Sequence, residues 1–188
     1  PRSEHTWLHS LVLFGLYSLG GYATISLLKG ILVTATLICL VLVARRRSAS
    51  WTAILLVLPI FLLTSGGWLE RPQLWTFLLF ALFLLVLQRF LEQQNWSVLW
   101  LFPLAIFWAN VHAGSVLAAA LLVAFLVGGV GDQFLPGTRA SFQFRKLLVA
   151  SGLVALASVI SPYPGYLMHT LLNVSKLGGS TDSSGNYT

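Results

Sequence analysis

Charge is what this sequence has least of. Only 9% of its 188 residues are Asp, Glu, Lys or Arg, against about 25% in an ordinary soluble domain. Acidic residues are the scarcest, five in all. A chain so poor in charge, and 57% hydrophobic, cannot cover a globule with polar surface, which excludes a soluble fold. Cysteine is nearly missing too. The lone Cys39 excludes an internal disulfide and any cysteine metal cluster. The chain does not begin with Met, and Pro1 to Thr6 lack the basic-then-apolar pattern of a signal peptide. The expectation is a piece cut from a longer protein.

What the sequence has instead is apolar runs, with a mean hydropathy of +0.84. A membrane span needs about 20 apolar residues, so about six or seven passes are the most the chain can hold. Trp7 to Leu19 is mixed: Trp7, Leu8, Leu11 and Val12 share one helical face, and His5, Thr6, His9 and Ser10 the other. That pattern reads as an interfacial helix, broken by Gly20-Gly21. Tyr22 to Ala44 is long enough to span and stops at Arg45-Arg46-Arg47, a cytoplasmic anchor under the positive-inside rule. Further passes follow over Trp51 to Leu69, Leu74 to Leu91, Val98 to Ala109, Ser115 to Val130 and Leu147 to Ile160. Val98 to Ala109 is short for a crossing unless its helix starts earlier or the bilayer thins.

The fold expected is therefore all-α: a polytopic transmembrane helical bundle of about six spans plus an interfacial helix. Residues 1–21 form the outer-face helix, 22–176 the transmembrane core and 177–188 a flexible Gly/Ser/Asn-rich tail. Alternating the passes puts Arg45, Arg46, Arg47, Arg89, Arg139, Arg145 and Lys146 inside, seven of the eleven basic residues. The net charge of +6 is thus a topology signal and not a sign of nucleic acid. The lipid bilayer is the first partner. The small residues Ala118-Ala119-Ala120 and Gly128-Gly129 suit helix packing.

The same alternation places the unusual polar residues on the outer side: His5, His9, Glu70-Arg71-Pro72-Gln73, Asn110, His112 and Ser161-Pro162-Tyr163. Polar breaks at membrane depth are tolerated only against protein or a water-filled cavity, and ionisable groups there usually mark function. An outward-facing polar cavity follows. Each residue also has a plainer reading. Arg71-Pro72 fits a loop anchor with Pro72 opening a helix, and Asn110 and His112 fit caps and interhelical hydrogen bonds. His5 and His9 have metal-ligand spacing but lack a third ligand, so a polar face of the interfacial helix suffices. Lys29 can snorkel. Tyr163 and the tryptophans Trp51, Trp68, Trp75, Trp96 and Trp100 fit an interfacial belt.

The order of these motifs carries a resemblance. His5-Thr6-Trp7-Leu8, Arg71-Pro72-Gln73, Trp108-Ala109-Asn110-Val111-His112-Ala113-Gly114 and Ser161-Pro162-Tyr163 follow one another with apolar spacing. This resembles bacterial membrane proteins of the GT-C architecture, related to protein O-mannosyltransferases and lipid A sugar transferases. Members read His-Glu-Trp-Leu, Arg-Pro-Gln, Trp-Ala-Asn-Leu-His-Gly-Gly and Asn-Pro-Tyr-Gly in that order. The resemblance runs to about Lys176. It implies a glycosyltransferase of the bacterial inner membrane that uses a polyprenyl-phosphate-linked sugar donor on the extracytoplasmic face.

On that resemblance the catalytic base is an Asp in a loop upstream of Pro1. Arg71 is the expected cation for the lipid phosphate, with Lys29 second. Asn110, His112, Gln73 and Tyr163 are expected to bind substrate or position Arg71. The resemblance leaves a divalent metal in the full-length protein open, and no metal-ligand set is visible in this chain. The departures are Thr6 where the family has Glu, Ser161 where it has Asn, and Pro164 before Gly165. Without the Asp loop, the expectation is a partial core or an inactive relative. A transporter or flippase for a lipid-linked or small polar substrate and a non-catalytic membrane scaffold remain alternative readings.

Overall fold

A computed structural model describes residues 6–46, 72–93, 95–131, 144–157 and 160. The expected pass over Trp51 to Leu69, the tail 177–188, and Arg71 and Tyr163 lie outside the described residues. Every element among the described residues is helical: α1 (Trp7–Arg45), α2 (Gln73–Gln93), α3 (Leu101–Val111), α4 (Val116–Gly131) and α5 (Phe144–Ala157). Short 3-10 turns precede α3 at Trp96–Trp100 and α4 at Ala113–Ser115. Three helical stretches among these residues are long and apolar enough to cross a bilayer: Trp7–Arg45, Gln73–Gln93 and Ala113–Gly131. By length and composition the chain is an integral membrane protein.

α1 is two helices rather than one. Its backbone leaves helical geometry at Gly20 (φ −165°, ψ 23°) and Gly21 (φ 62°, ψ −145°), the break expected at this pair. The conformation at Gly21 is one that only glycine adopts without strain. The arm, residues 7–19, folds back along the stem, residues 22–45. His9 and Leu13 line the same crevice as Leu28, Lys29 and Leu32, residues about equally far beyond the break. Tyr17 and Tyr22 meet edge to face, 5.3 Å between ring centroids. The Thr24 hydroxyl lies 2.5 Å from the Leu16 carbonyl and 2.9 Å from the Gly21 carbonyl. It thereby serves carbonyls that the break leaves without helical partners.

The arm buries His9 of its polar face but leaves Ser10 of that face exposed, and Trp7, Leu8 and Val12 of the apolar face are half-buried. Leu11, Phe14 and Leu19 are exposed. In an apolar solvent a polar side chain such as His9 is the one that needs protein beside it.

The stem buries Ile25, Leu32, Thr36 and Cys39, a seam with spacings of seven, four and three that packs on α2. α2 and α3 form an antiparallel hairpin. Its tight link is capped by Asn95, whose side chain accepts the Ser97 N–H at 3.0 Å. That cap starts the helical pass at Trp96, earlier than the apolar run alone indicated. The opening 3-10 turn rises more steeply than α-helix, so Trp96 to Val111 reaches about 26 Å. Thus the short pass reaches further than its apolar residues alone imply. The core joins α2, α3, α4 and α5 through buried Phe83, Leu87, Phe90, Leu101, Trp108, Leu122 and Leu147.

Two ends of the bundle are chemically distinct. At one, Arg46 pairs with Glu92, and the Lys146 ammonium sits 5.3 Å over the Trp96 ring. This basic end is where α1 and α2 finish and α5 begins. The expected grouping of Arg45, Arg46, Arg89, Arg145 and Lys146 on one side agrees with it. The ion pair is partly exposed and adds little stability. The opposite end gathers His9, His112, Trp7, Trp75 and Trp108.

Replacing Gly21 with Ala tests the fold-back of the arm. A Cβ at Gly21 meets nothing within 4 Å, so the penalty is purely one of backbone conformation. The expected loss is about 1–3 kcal/mol, read as a lower melting temperature in detergent. An unchanged melt would show that the arm does not need this turn.

Candidate functional site

The site is built on a helix that stops. α3 ends at Val111 because His112 takes an extended backbone conformation (φ −158°, ψ 142°). The His112 N–H still closes on the Trp108 carbonyl at 3.0 Å. The chain then restarts through the Ala113–Ser115 turn, and the His112 side chain caps it. Its Nδ1 accepts the Gly114 N–H at 3.0 Å. A break in the middle of an apolar run thus supplies its own acceptor.

Behind His112 stands a short relay. The Trp108 indole N–H donates to the Thr76 hydroxyl at 3.1 Å, and Thr76 Oγ1 lies 2.7 Å from His112 Nδ1. An indole only donates, so the Thr76 oxygen accepts from it and turns its own proton toward Nδ1. Nδ1 therefore carries no proton, and the neutral ring holds it on Nε2. Trp108 is fully buried, with Phe83 edge-on at 5.3 Å. Gly114 makes this approach possible. A Cβ there would fall 2.5 Å from Thr76 Oγ1 and 2.8 Å from His112 Nδ1. Next to it the buried Ser115 hydroxyl has no hydrogen-bond partner among the described residues.

Asn110, two residues past Trp108, ties three elements. Its Oδ1 accepts the Trp7 indole N–H at 3.1 Å. Its Nδ2 donates to the carbonyls of Ile106 at 2.8 Å and Ile160 at 2.9 Å. Because Trp7 can only donate, the orientation of the amide is determined. The arm of α1, the end of α3 and the residue beyond α5 meet on this one side chain. A second latch holds the arm: the Trp75 indole N–H donates to His9 Nδ1 at 3.2 Å. His9 is thus engaged at Nδ1. Among the described residues no three of His, Cys, Asp and Glu come together as metal ligands.

The residues singled out from sequence divide as follows. Asn110 and His112 lie at the same end of the bundle, within one connected set of side chains. Lys29 lines the crevice between arm and stem, beside His9. Gln73 is exposed at the first position of α2. Arg71 and Tyr163 lie outside the described residues. Sequence reasoning left Thr76 unmentioned and gave Trp7, Trp75 and Trp108 no role as site donors. One signal was present for Thr76, since it and the indole beside it are the only polar groups between Gln73 and Gln88. Trp75 read as an interfacial belt residue, yet its N–H is committed to His9.

The arrangement can position, with little play, a histidine of defined tautomer and an amide at one end of an apolar bundle. No protein-family model matches the chain, and no curated protein or solved structure is significantly similar to it.

Two substitutions probe the set. Thr76→Val keeps the shape and removes the relay, leaving a fully buried indole N–H unpaired, a loss of about 1–3 kcal/mol. Gly114→Ala pushes Thr76 from His112, and its effect should not add to that of Thr76→Val, because both break the same contact. Thermal unfolding of the single and double variants measures this, and simple additivity would dissolve the relay. Asn110→Asp sets a carboxylate against the Ile106 and Ile160 carbonyls and should destabilise more than Asn110→Leu.

Proposed function

We propose that the chain is the partial core of a GT-C glycosyltransferase. On this reading it crosses a bacterial inner membrane about six times. It takes a sugar from a polyprenyl-phosphate donor and works on the extracytoplasmic face, at the end opposite Arg46 and Lys146. One observation supports this most: separated motif segments are bonded to one another at that end. Trp7 bonds Asn110, Thr76 behind the Arg71-Pro72-Gln73 motif bonds His112, and Asn110 bonds the carbonyl just ahead of Ser161-Pro162-Tyr163.

The chemistry is a displacement at the anomeric carbon. A base removes the acceptor hydroxyl proton as the new carbon–oxygen bond forms and the bond to the lipid phosphate breaks. The resemblance assigns that base to an Asp upstream of Pro1. Negative charge grows on the departing phosphate and calls for a cation. Arg71 suits it because a guanidinium grips phosphate through two parallel hydrogen bonds. Lys29 is the second cation. His112 and Asn110 bind sugar or phosphate or position Arg71, with Gln73 and Tyr163 as further donors.

The scaffold reading has its own observation. The Asn110 amide is engaged by Trp7, Ile106 and Ile160 at once, which is what a purely structural tie requires. A transporter is less well supported. Below Trp108 the core of Phe83, Leu87, Phe90, Leu101 and Leu147 offers no polar passage among the described residues.

Arg71→Ala in the full-length protein separates the readings. Transfer of sugar from a polyprenyl-phosphate donor in proteoliposomes should fall by at least about a hundredfold while the melting temperature holds. Normal turnover would remove Arg71 from its role.

A further inference from the structure

The arm of α1 is fastened near its start by two indole bonds, and they differ in one respect. The Trp7 N–H donates to an amide oxygen, Asn110 Oδ1, which does not titrate near neutral pH. The Trp75 N–H donates to His9 Nδ1, a ring nitrogen that does. An indole has no lone pair to offer, so this second bond exists only while Nδ1 carries no proton. A proton there sets two N–H groups against each other across 3.2 Å.

The surroundings give that proton no reward. His9 is buried. From the stem, the ionisable residue at its level is Lys29, a cation on the same crevice. From α2 come Leu74 and Trp75, and from α3 the Asn110 amide, reached through Trp7. Within the arm the other titratable group is Tyr17, exposed and about two turns away. His112, the other histidine at this end, keeps its own Nδ1 on the Gly114 N–H and the Thr76 hydroxyl. Glu92, the acidic residue among the described ones, is bound to Arg46 at the other end of the bundle.

We propose that the arm is a pH-sensitive latch, docked on α2 and α3 while His9 is neutral and released when His9 takes a proton. The pivot is the Gly20-Gly21 break, where the backbone already leaves helical geometry. His9 is buried in the docked arm, so it gains the proton as the arm opens. A released imidazole titrates near its ordinary value of about 6.5. Docking is therefore strongest above that pH and weakens by up to about tenfold for each unit below it. Opening also takes Trp7 from Asn110 and returns the amide oxygen to whatever reaches this end. The inference rests on the geometry of the arm and not on sugar transfer.

Thiol labelling of the chain in nanodiscs provides the test, with Cys39→Ala removing the native thiol. Leu13→Cys, on the crevice wall, reports opening. Phe14→Cys, on the exposed side of the arm, corrects for the pH dependence of the reagent. The corrected rate at position 13 should rise about tenfold between pH 8 and pH 5. His9→Asn keeps an acceptor near the place of Nδ1 but cannot titrate, so it should match the parent at pH 8 and stay flat to pH 5. Trp75→Phe removes the donor. It should raise labelling about two- to tenfold already at pH 8, the loss of one hydrogen bond, and shrink the further rise in acid. A rate that ignores pH in the parent, or an acid response that survives His9→Asn, would overturn the proposal. So would a Trp75→Phe arm as closed as the parent. Failure of sugar transfer with the acid response intact would count against the transferase reading alone.

Discussion

Hydrocarbon cannot hydrogen-bond, so every interruption of a helix in this chain must be repaired by the chain itself. That single constraint organises the structure. The helical backbone is broken at Gly20-Gly21, before Ser97 and at His112, and a side chain answers each break. Thr24 serves the Leu16 carbonyl, Asn95 the Ser97 N–H and His112 the Gly114 N–H. The polar residues that stand out in an apolar sequence are therefore first of all repairs. Their positions follow from where the chain has to turn.

The repairs also determine what packs together. A histidine that caps its own turn exposes a ring nitrogen to the neighbouring helix, and Thr76 meets it there. Thr76 in turn satisfies the buried Trp108 indole, whose ring fills the core against Phe83. The arm of α1 is held by two indole bonds, one from Trp7 to Asn110 and one from Trp75 to His9. Cutting the polar set at any point leaves a donor unpaired in a place where water is scarce. Polar contacts that would add about 1 kcal/mol in a soluble protein have more effect here through the penalty of leaving them unmade.

Much of this was legible in the sequence, and the limits are physical. The Gly20-Gly21 break, the stem, α2 and α4 follow from apolar length and from residues that tolerate unusual backbone. Asn110 and His112 announced a break because nothing else polar lay near them. The direction of the arm was not legible. Periodicity shows that His9 and Leu11 lie on different faces but not which residues of each face meet protein. The indole donors escaped notice for a related reason: tryptophan near a span end has a generic explanation, and only the partner reveals a specific one. The early start of the pass through α3 depended on Asn95, a cap whose effect is felt one turn outside the apolar run. The cation expected to matter most for phosphate, Arg71, lies outside the described residues.

The motif order that suggests a glycosyltransferase now has a second, structural reason to exist. Trp7 belongs to the first motif and bonds the third. Thr76 follows the second motif and bonds the third, and the third bonds the residue that precedes the fourth. A protein that had lost its catalytic chemistry would still need these pairs to hold its helix ends together. Their presence therefore bears on how the helix ends are held and not on activity.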